Sequence, residues 1–435
     1  MGAITYDKIK IEGDIELLHL HKMSVTMLGN QHAYAYIEGE ISERCTEERY
    51  ETKNSFVYVN CFDEKSNSFK SLFVGLVNRI TYKNIHESSW AEIHLVSATK
   101  LLDQERKSCS FQNVALTYQD IAKQVVQQTG SANCICTTGE SAIGKPLIQY
   151  QETDWEFLSR IASHSNTAIY PDVKTKSPRL WVGFPNEVIN IEVDGIDYEV
   201  GICEEYLDSE LPSEVFIYYE IELDADYDIG TGVVFQGRKW WIEQKVIELK
   251  QGILVFRYRL RLPYAIQTAK KYQSLFAGMS ILGTVMAVDE ETLKLHLDID
   301  ERQEAGEAYS YEWTPDTGSA MYCMPKVGTT VSLYFASSDE QAARAVSCVR
   351  ENGRSCPQMS DPNKRGLTTE YGKSLVLNPE DMGLKSEANE VDIIDGQGIS
   401  IVTMKKVSVT SKQKIKLIGK KVTLVTPKEI QMARK

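Results

Sequence analysis

Apolar residues recur along this chain with two periods, and the period of two dominates. SVTMLG, AYAYIEGEI, NSFVYVNCF, SFKSLFVGLVNRITY and AEIHLVSATKLL, all in the first hundred residues, set Val, Ile, Tyr, Phe and Thr in alternation between polar breaks. That pattern predicts strands with one buried face. A helical island follows over Thr117–Gln128, where Ile121, Ala122, Val125 and Val126 share one face. Thr117 reads as its N-cap, with Asp120 three residues on, and Gly130 as its stop. A second helix is predicted from Thr153 in TDWEFLSRIASH, where Thr153 and Glu156 form a capping box. Trp155, Leu158, Ile161 and Ala162 are its buried stripe. The strand period then returns in TAIYPDV, RLWVGF, SEVFIYYEIEL, KWWIEQKVIEL and ILVFRYRLRL.

Residues 266–280 read as a helical linker. Beyond them lie SILGTVMAVDEETLKLHLDID, YEWTPDTG and MPKVGTTVSLYFASSDEQAARAVSCVRENG. Short alternating strands broken by Pro325 and Gly328 predict a small five-stranded barrel of the OB type over 281–352. Residues 353–390 read as a linker or neck.

The C-terminal tract repeats. Apolar i, i+2 pairs stand at Val391/Ile393, Ile399/Ile401, Val407/Val409, Ile415/Leu417, Val422/Leu424 and Ile430/Met432, with first members 8, 8, 8, 7 and 8 residues apart. Each pair puts two side chains on one face of a short strand. Such a repeat means a β-solenoid or β-prism. A single-chain solenoid needs roughly twenty residues per coil and about three coils to bury a core. Val391 to Met432 supplies about two coils by that measure. Three identical chains wound together close the core that one cannot, so the repeat favours a homotrimer.

A length of 435 residues adds the expectation of several domains, and 42% hydrophobic with 25% charged residues marks a folded chain. The first residues, MGAITYDKIKIEGDIELL, lack a basic start followed by an apolar stretch, and no apolar run reaches membrane-spanning length. Synthesis and folding in the cytoplasm, with no signal peptide, are therefore expected. The net charge of -13 argues against a nucleic-acid partner. The charge is uneven: residues 401–435 carry ten Lys or Arg against Glu429 alone, so the rest of the chain stands at -22. The barrel region is itself acidic, with Asp289, Glu290, Glu291, Asp298, Asp300, Glu301 and Glu304, which discounts oligonucleotide binding there. Nine scattered cysteines without a CxxC fit reduced thiols, and Cys134/Cys136 read as two thiols on one face of a short strand.

One segment carries a resemblance. Leu147 to Ala162, with Gln149, Tyr150, Glu152, Asp154, Trp155, Phe157, Leu158 and Arg160, resembles the hub signature of the phage late-control protein D and VgrG spike family. The resemblance covers about 117–185 well. It implies a mainly β, multidomain chain: a hub over 1–265 of two β-barrel-like subdomains with helices near 117–128 and 153–164. The helical linker, the OB-fold and the neck follow, and then a trimeric β-needle over 391–435. It implies a structural spike of a bacterial contractile injection system, phage tail-like or type VI secretion-like, assembled in the bacterial cytoplasm and delivered outward. The implied partners are an inner tube ring, baseplate proteins and a PAAR-type tip protein or effector, and the target membrane is met only on injection. The needle pairs above would form the trimer core. The competing reading is a free-standing trimeric fibre or adhesin.

Enzymatic and cofactor readings gain little. There is no GxSxG or phosphate-loop motif, and the 353–390 stretch is too short for an inserted hydrolase. No catalytic residue, metal or cofactor is expected. Asp224, Asp226 and Asp228 imitate a calcium loop, but Gly230 is displaced by one residue and Phe235 stands where a bidentate Glu belongs, so a solvated acidic turn is expected. His19 and His21 form an HxH pair near the N-terminus, far from any needle tip.

Overall fold

The computed structural model describes the chain except residues 1–3, 14, 16, 43–54, 65, 86–87, 138–139, 186–189, 205–211, 319–322, 351–355, 427 and 431–435. The chain divides into two compact units, Met1–Val349 and Arg350–Lys435.

The alternating runs of the first unit build a 13-stranded sheet. Its main path begins at Tyr198–Ile202 and passes through Ile217–Leu223, Ile253–Arg261 and Arg238–Lys250. It continues through Leu17–Met27, Tyr34–Ile41, Ser88–Ser97, Ser68–Ile85 and Phe56–Asp63 to Ile9–Gly13. Strands from the two ends of this unit meet where Lys245 faces Met27 and Ile247 faces Val25. Alternation becomes burial directly: Val57, Val59, Ile37, Ile93, Phe256 and Tyr258 are fully buried in one shared core. Among the described strands no hydrogen-bonded circuit closes, so the two barrel-like subdomains expected from the sequence are joined into one continuous open sheet. Alternation fixes which face of a strand is buried and is silent on which strands pair across a distance.

Two helices pack beside this sheet. Helix α1 (Tyr118–Gln127) starts at a reciprocal capping box between Thr117 and Asp120, and helix α2 (Asp154–His164) at another between Thr153 and Glu156. Each satisfies two backbone donors that would otherwise be orphaned. Ile121, Val125, Trp155, Phe157, Leu158 and Ile161 form a second core with Leu147, Leu180 and Val182.

The segment after the large sheet differs from the predicted helical linker. It holds 3-10 turns at Pro263–Ala265 and Ser274–Phe276, and the residues between them form no helix. Hydrogen bonds to the strand and helix of residues 147–164 hold it. The Lys271 amide donates to Ser163 Oγ, Lys271 Nζ to Ser159 Oγ, and Gln273 Nε2 to the Tyr150 carbonyl. These anchors outweigh the weak helical preference of a short segment.

Five strands follow, in the order Ser310–Glu312, Thr292–Leu297, Ser280–Asp289, Thr330–Tyr334 and Arg344–Cys348. Their edges meet at one parallel bridge, Trp313 to Ala345, reinforced where the Thr314 amide donates to the Ala345 carbonyl. The core inside is Ile281, Val285, Leu293, Leu295, Leu297, Tyr311, Val331, Leu333 and Phe335.

The second unit is an antiparallel meander of Arg365–Thr368, Lys373–Leu377, Asp381–Ser386, Asn389–Ile394 and Gly398–Val402. Three of these strands lie in the stretch expected to be a linker or neck, which corrects that boundary. The apolar repeat extends upstream to Leu375/Leu377 and Met382/Leu384, where a Gly or Val between the members hides the polar alternation. Of the six pairs predicted as strands, Val391/Ile393 and Ile399/Ile401 lie in strands of the single chain. The described residues from 403 onward form none, and Met432 lies outside the described residues. A short strand without a neighbouring strand has nothing to satisfy its backbone.

Candidate functional site

The signature segment folds into a strand, a bulge and a helix, and its polar residues turn inward. Strand Leu147–Thr153 pairs with Arg106–Phe111, with a register shift between Tyr150 and Glu152. The bulged residue, Gln151, has φ of 49°, a left-handed conformation uncommon for a side-chain-bearing residue. Beyond the bulge Glu152 and Arg160 meet as a bidentate pair, Nε to Oε1 at 2.8 Å and a terminal nitrogen to Oε2 at 2.7 Å. Arg160 also donates to the Ile148 carbonyl at 2.8 Å and to the Glu340 carboxylate. Exposure is only 3% for Arg160, 5% for Glu152 and 0% for Glu340. Burial by itself opposes the charge on Arg160, but Glu152 and Glu340 overcome it and raise the pKa above the ordinary value. Glu340 belongs to the turn before strand Arg344–Cys348, so this arginine ties α2 to the five-stranded module.

The neighbouring signature residues hold the same joint. Ile148 and Tyr150 pack into the five-stranded module's core, and the Tyr150 ring lies 5.9 Å from that of Phe276. Gln149 donates to Asp154 Oδ1 and to the Glu152 carbonyl, both at 3.1 Å. Asp154 also accepts from Lys107 at 2.6 Å and Thr129 at 3.1 Å. Phe157 stacks on Phe111, and the Arg160 guanidinium lies 5.2 Å from the centre of the Phe157 ring. Trp155 lies against His32, whose ring bridges Thr99 and Asp103. Leu158 is fully buried with the helix core.

Three contributors outside the signature complete the joint. Asp300 accepts from the Ser110 amide and hydroxyl, each at 2.6 Å, and its pKa is raised by burial. Gln112 donates to the Leu295 carbonyl at 3.1 Å and accepts from the Tyr309 amide at 3.3 Å. Glu340, Asp300 and Gln112 carry no periodic signal, and their partners lie 180 to 197 residues away along the chain.

The acidic turn is an ion-pair cluster. Asp226 pairs with the fully buried Lys245, Asp228 with Lys174 at 2.6 Å, and Asp224 is exposed. Burial raises the Asp228 pKa less than Lys245 and Lys174 lower it. Phe235 sits in the core. Among the described residues no three His, Cys, Asp or Glu side chains gather with metal-binding geometry. His21 packs edge-on against Trp90, and His19 is exposed. Cys134 and Cys136 hold their sulfurs 4.0 Å apart on one face of strand Asn133–Cys136.

The second unit offers a different kind of site. Its register makes apolar residues direct cross-strand partners: Leu367 with Leu375, Leu375 with Leu384, Leu384 with Val391 and Val391 with Ile401. A second row runs Leu377, Met382, Ile393, Ile399. The first row lines an open groove of about 600 Å³, to which Val407 also contributes. In one chain the stripe is bare, with Leu384 51%, Ile399 69% and Ile401 59% exposed. Val407, Val409, Ile415, Leu417, Val422, Leu424 and Ile430 are exposed as well.

The chain thus combines a joint that couples two β modules with a sheet whose apolar face is exposed among the described residues. Residues 63–177 match the family described as phage tail baseplate hub (GPD), and this stretch contains the signature. The fold is shared with the E. coli c3393 protein, a component of the type VI secretion system described as structurally similar to the T4 bacteriophage tail proteins gp27 and gp5. That match has a TM-score of 0.56 and 12% identity over 79% of this chain and 100% of the other. It is shared also with the Francisella PdpA–VgrG complex in two states. The half-lidded state gives a TM-score of 0.56 at 10% identity over 92% of this chain and 87% of the other. The lidless state gives 0.54 at 10% identity over 90% and 97%. No curated protein matches the sequence. The chain therefore resembles the VgrG and late-control protein D type of spike in both its hub match and its fold.

Proposed function

We propose that the chain is the trimeric hub and spike of a contractile injection system. It joins a sixfold inner tube to a puncturing tip and carries tip or effector proteins at the needle end. The observation that carries this reading is the two-row apolar face of the second unit. A cross-strand stripe of Leu, Ile, Val and Met is stable in water when covered, and among the described residues the 38-residue meander with the exposed pairs beyond it has no second layer. Three copies supply that layer to one another, each pair facing the axis. The baseplate-hub match supports tube and baseplate proteins as partners of the first unit. The similar fold in the Francisella PdpA–VgrG complex supports a bound protein partner.

The role is mechanical. The buried Glu152–Arg160–Glu340 joint stiffens the passage from hub to five-stranded module within the first unit. Electron microscopy of the purified full chain tests the reading. Threefold particles with a broad base and a thin shaft are expected. Particles without threefold symmetry would contradict it.

A further inference from the structure

The lysines of the C-terminal tract keep the repeat of the apolar pairs. One residue before the first members of successive pairs stand Glu390, Gly398, Lys406, Lys414, Lys421 and Glu429. Two residues before them stand Asn389, Gln397, Lys405, Gln413, Lys420 and Lys428. Lys416 lies between Ile415 and Leu417 as Asp392 lies between Val391 and Ile393. Where the strands are formed, this middle position keeps register: Asp392 faces Ser400, flanked by Val391 with Ile401 and Ile393 with Ile399. Alternation puts it on the face opposite the apolar stripe.

Charge changes sign along this outer face. Glu380, Asp381, Glu387, Glu390, Asp392 and Asp395 accompany the strands. Residues 396–428 contain no acid and eight lysines, all exposed, and among the described residues none of these lysines forms an ion pair. Lys406, Lys414, Lys416 and Lys421 stand at outer-face positions relative to the pairs, so in a trimer three copies place twelve ammonium groups there. Like charges closer than the Debye length of about 8 Å at physiological salt repel one another and together attract a surface of opposite sign.

We propose that these lysine columns form a contact surface for a phosphate-bearing lipid bilayer, a role that rests on the trimeric reading above. The distribution of charge selects the partner. With 396–428 at +8, the rest of the chain stands at -21, which repels a long polyanion such as a nucleic acid. A bilayer touched by this tract alone meets only its positive charge. Each lysine near an anionic bilayer strengthens attachment by about fivefold.

The experiment uses the full-length chain and sedimented vesicles of phosphatidylcholine alone or with one quarter phosphatidylglycerol. Binding to the anionic vesicles alone is expected, with release on raising salt from 50 to 300 mM. A variant carrying Lys406→Gln, Lys414→Gln, Lys416→Gln and Lys421→Gln keeps the apolar pairs, and its partitioning is expected to fall at least about 100-fold. Equal binding to both vesicle types, no binding, unchanged binding by the variant, or displacement by equimolar duplex DNA would each overturn the proposal. Light scattering on the same samples separates the two readings. A trimer that ignores anionic vesicles overturns the lipid contact and leaves the spike standing. A monomer that binds them through these lysines overturns the spike and leaves the lipid contact.

Discussion

Replacing Arg160 with Met removes the charge and keeps most of the volume. Four hydrogen bonds disappear, two to Glu152, one to Glu340 and one to the Ile148 carbonyl. Both carboxylates stay behind at 5% and 0% exposure. Breaking a buried pair by deleting one partner costs about 3–5 kcal/mol, most of it the desolvation of the stranded charge. A domain of this size loses roughly 2 °C of melting temperature per kcal/mol, so a drop of about 6–10 °C is expected. Differential scanning calorimetry on the full chain measures it. Adding Glu152→Leu and Glu340→Leu is expected to restore most of the loss, because an apolar replacement of a whole buried ion cluster is close to neutral. A drop of less than about 1 kcal/mol in the single variant would place these charges in water, contrary to their burial, and would refute the reasoning.

Thr153→Ala removes the α2 capping box and the 2.7 Å hydrogen bond to Asp103, with an expected cost of about 1–2 kcal/mol read from urea midpoints. Burial holds the His32 pKa below the ordinary histidine value, against the opposing pull of Asp103. Its contribution to stability is therefore complete above about pH 6.5 and is lost as pH falls through the lowered native value. His32→Gln should flatten that part of the urea-midpoint profile between pH 7.5 and 5, and an unchanged slope would contradict the assignment. Ile393→Asp with Ile401→Asp puts two charges per chain into the proposed needle core and should convert trimer to monomer in sedimentation velocity runs, while the first unit's melting transition stays in place.

The sequence was most legible where neighbours in the chain decide the structure. Both capping boxes and the stripe of Trp155, Leu158, Ile161 and Ala162 follow from spacing alone, because a helix is closed by contacts three and four residues apart. The inward turn of Glu152 and Arg160 was visible only as a family signature. Local rules place a charged residue on a helix surface, and the partner that draws Arg160 inside, Glu340, lies 180 residues away. The helical linker predicted over 266–280 does not form because that stretch has its side-chain anchors far away in the chain, at Ser159, Ser163 and Tyr150. The neck was misread for a different reason. Leu375-Val-Leu377 and Met382-Gly-Leu384 lack a polar residue between their members, so the repeat looked as if it began at Val391. The pairs from Val407 onward show the limit of a single chain, since their alternation is clear while their strand partners belong to other copies in the proposed trimer.

The central claim is that the second unit finds its missing layer in two further copies of the chain. Light scattering of the purified full-length protein at micromolar concentration tests it most directly. The account predicts a particle of three times the 49.2 kDa chain mass. A stable particle of one chain mass, with the stripe from Leu367 to Ile401 still exposed, would contradict it.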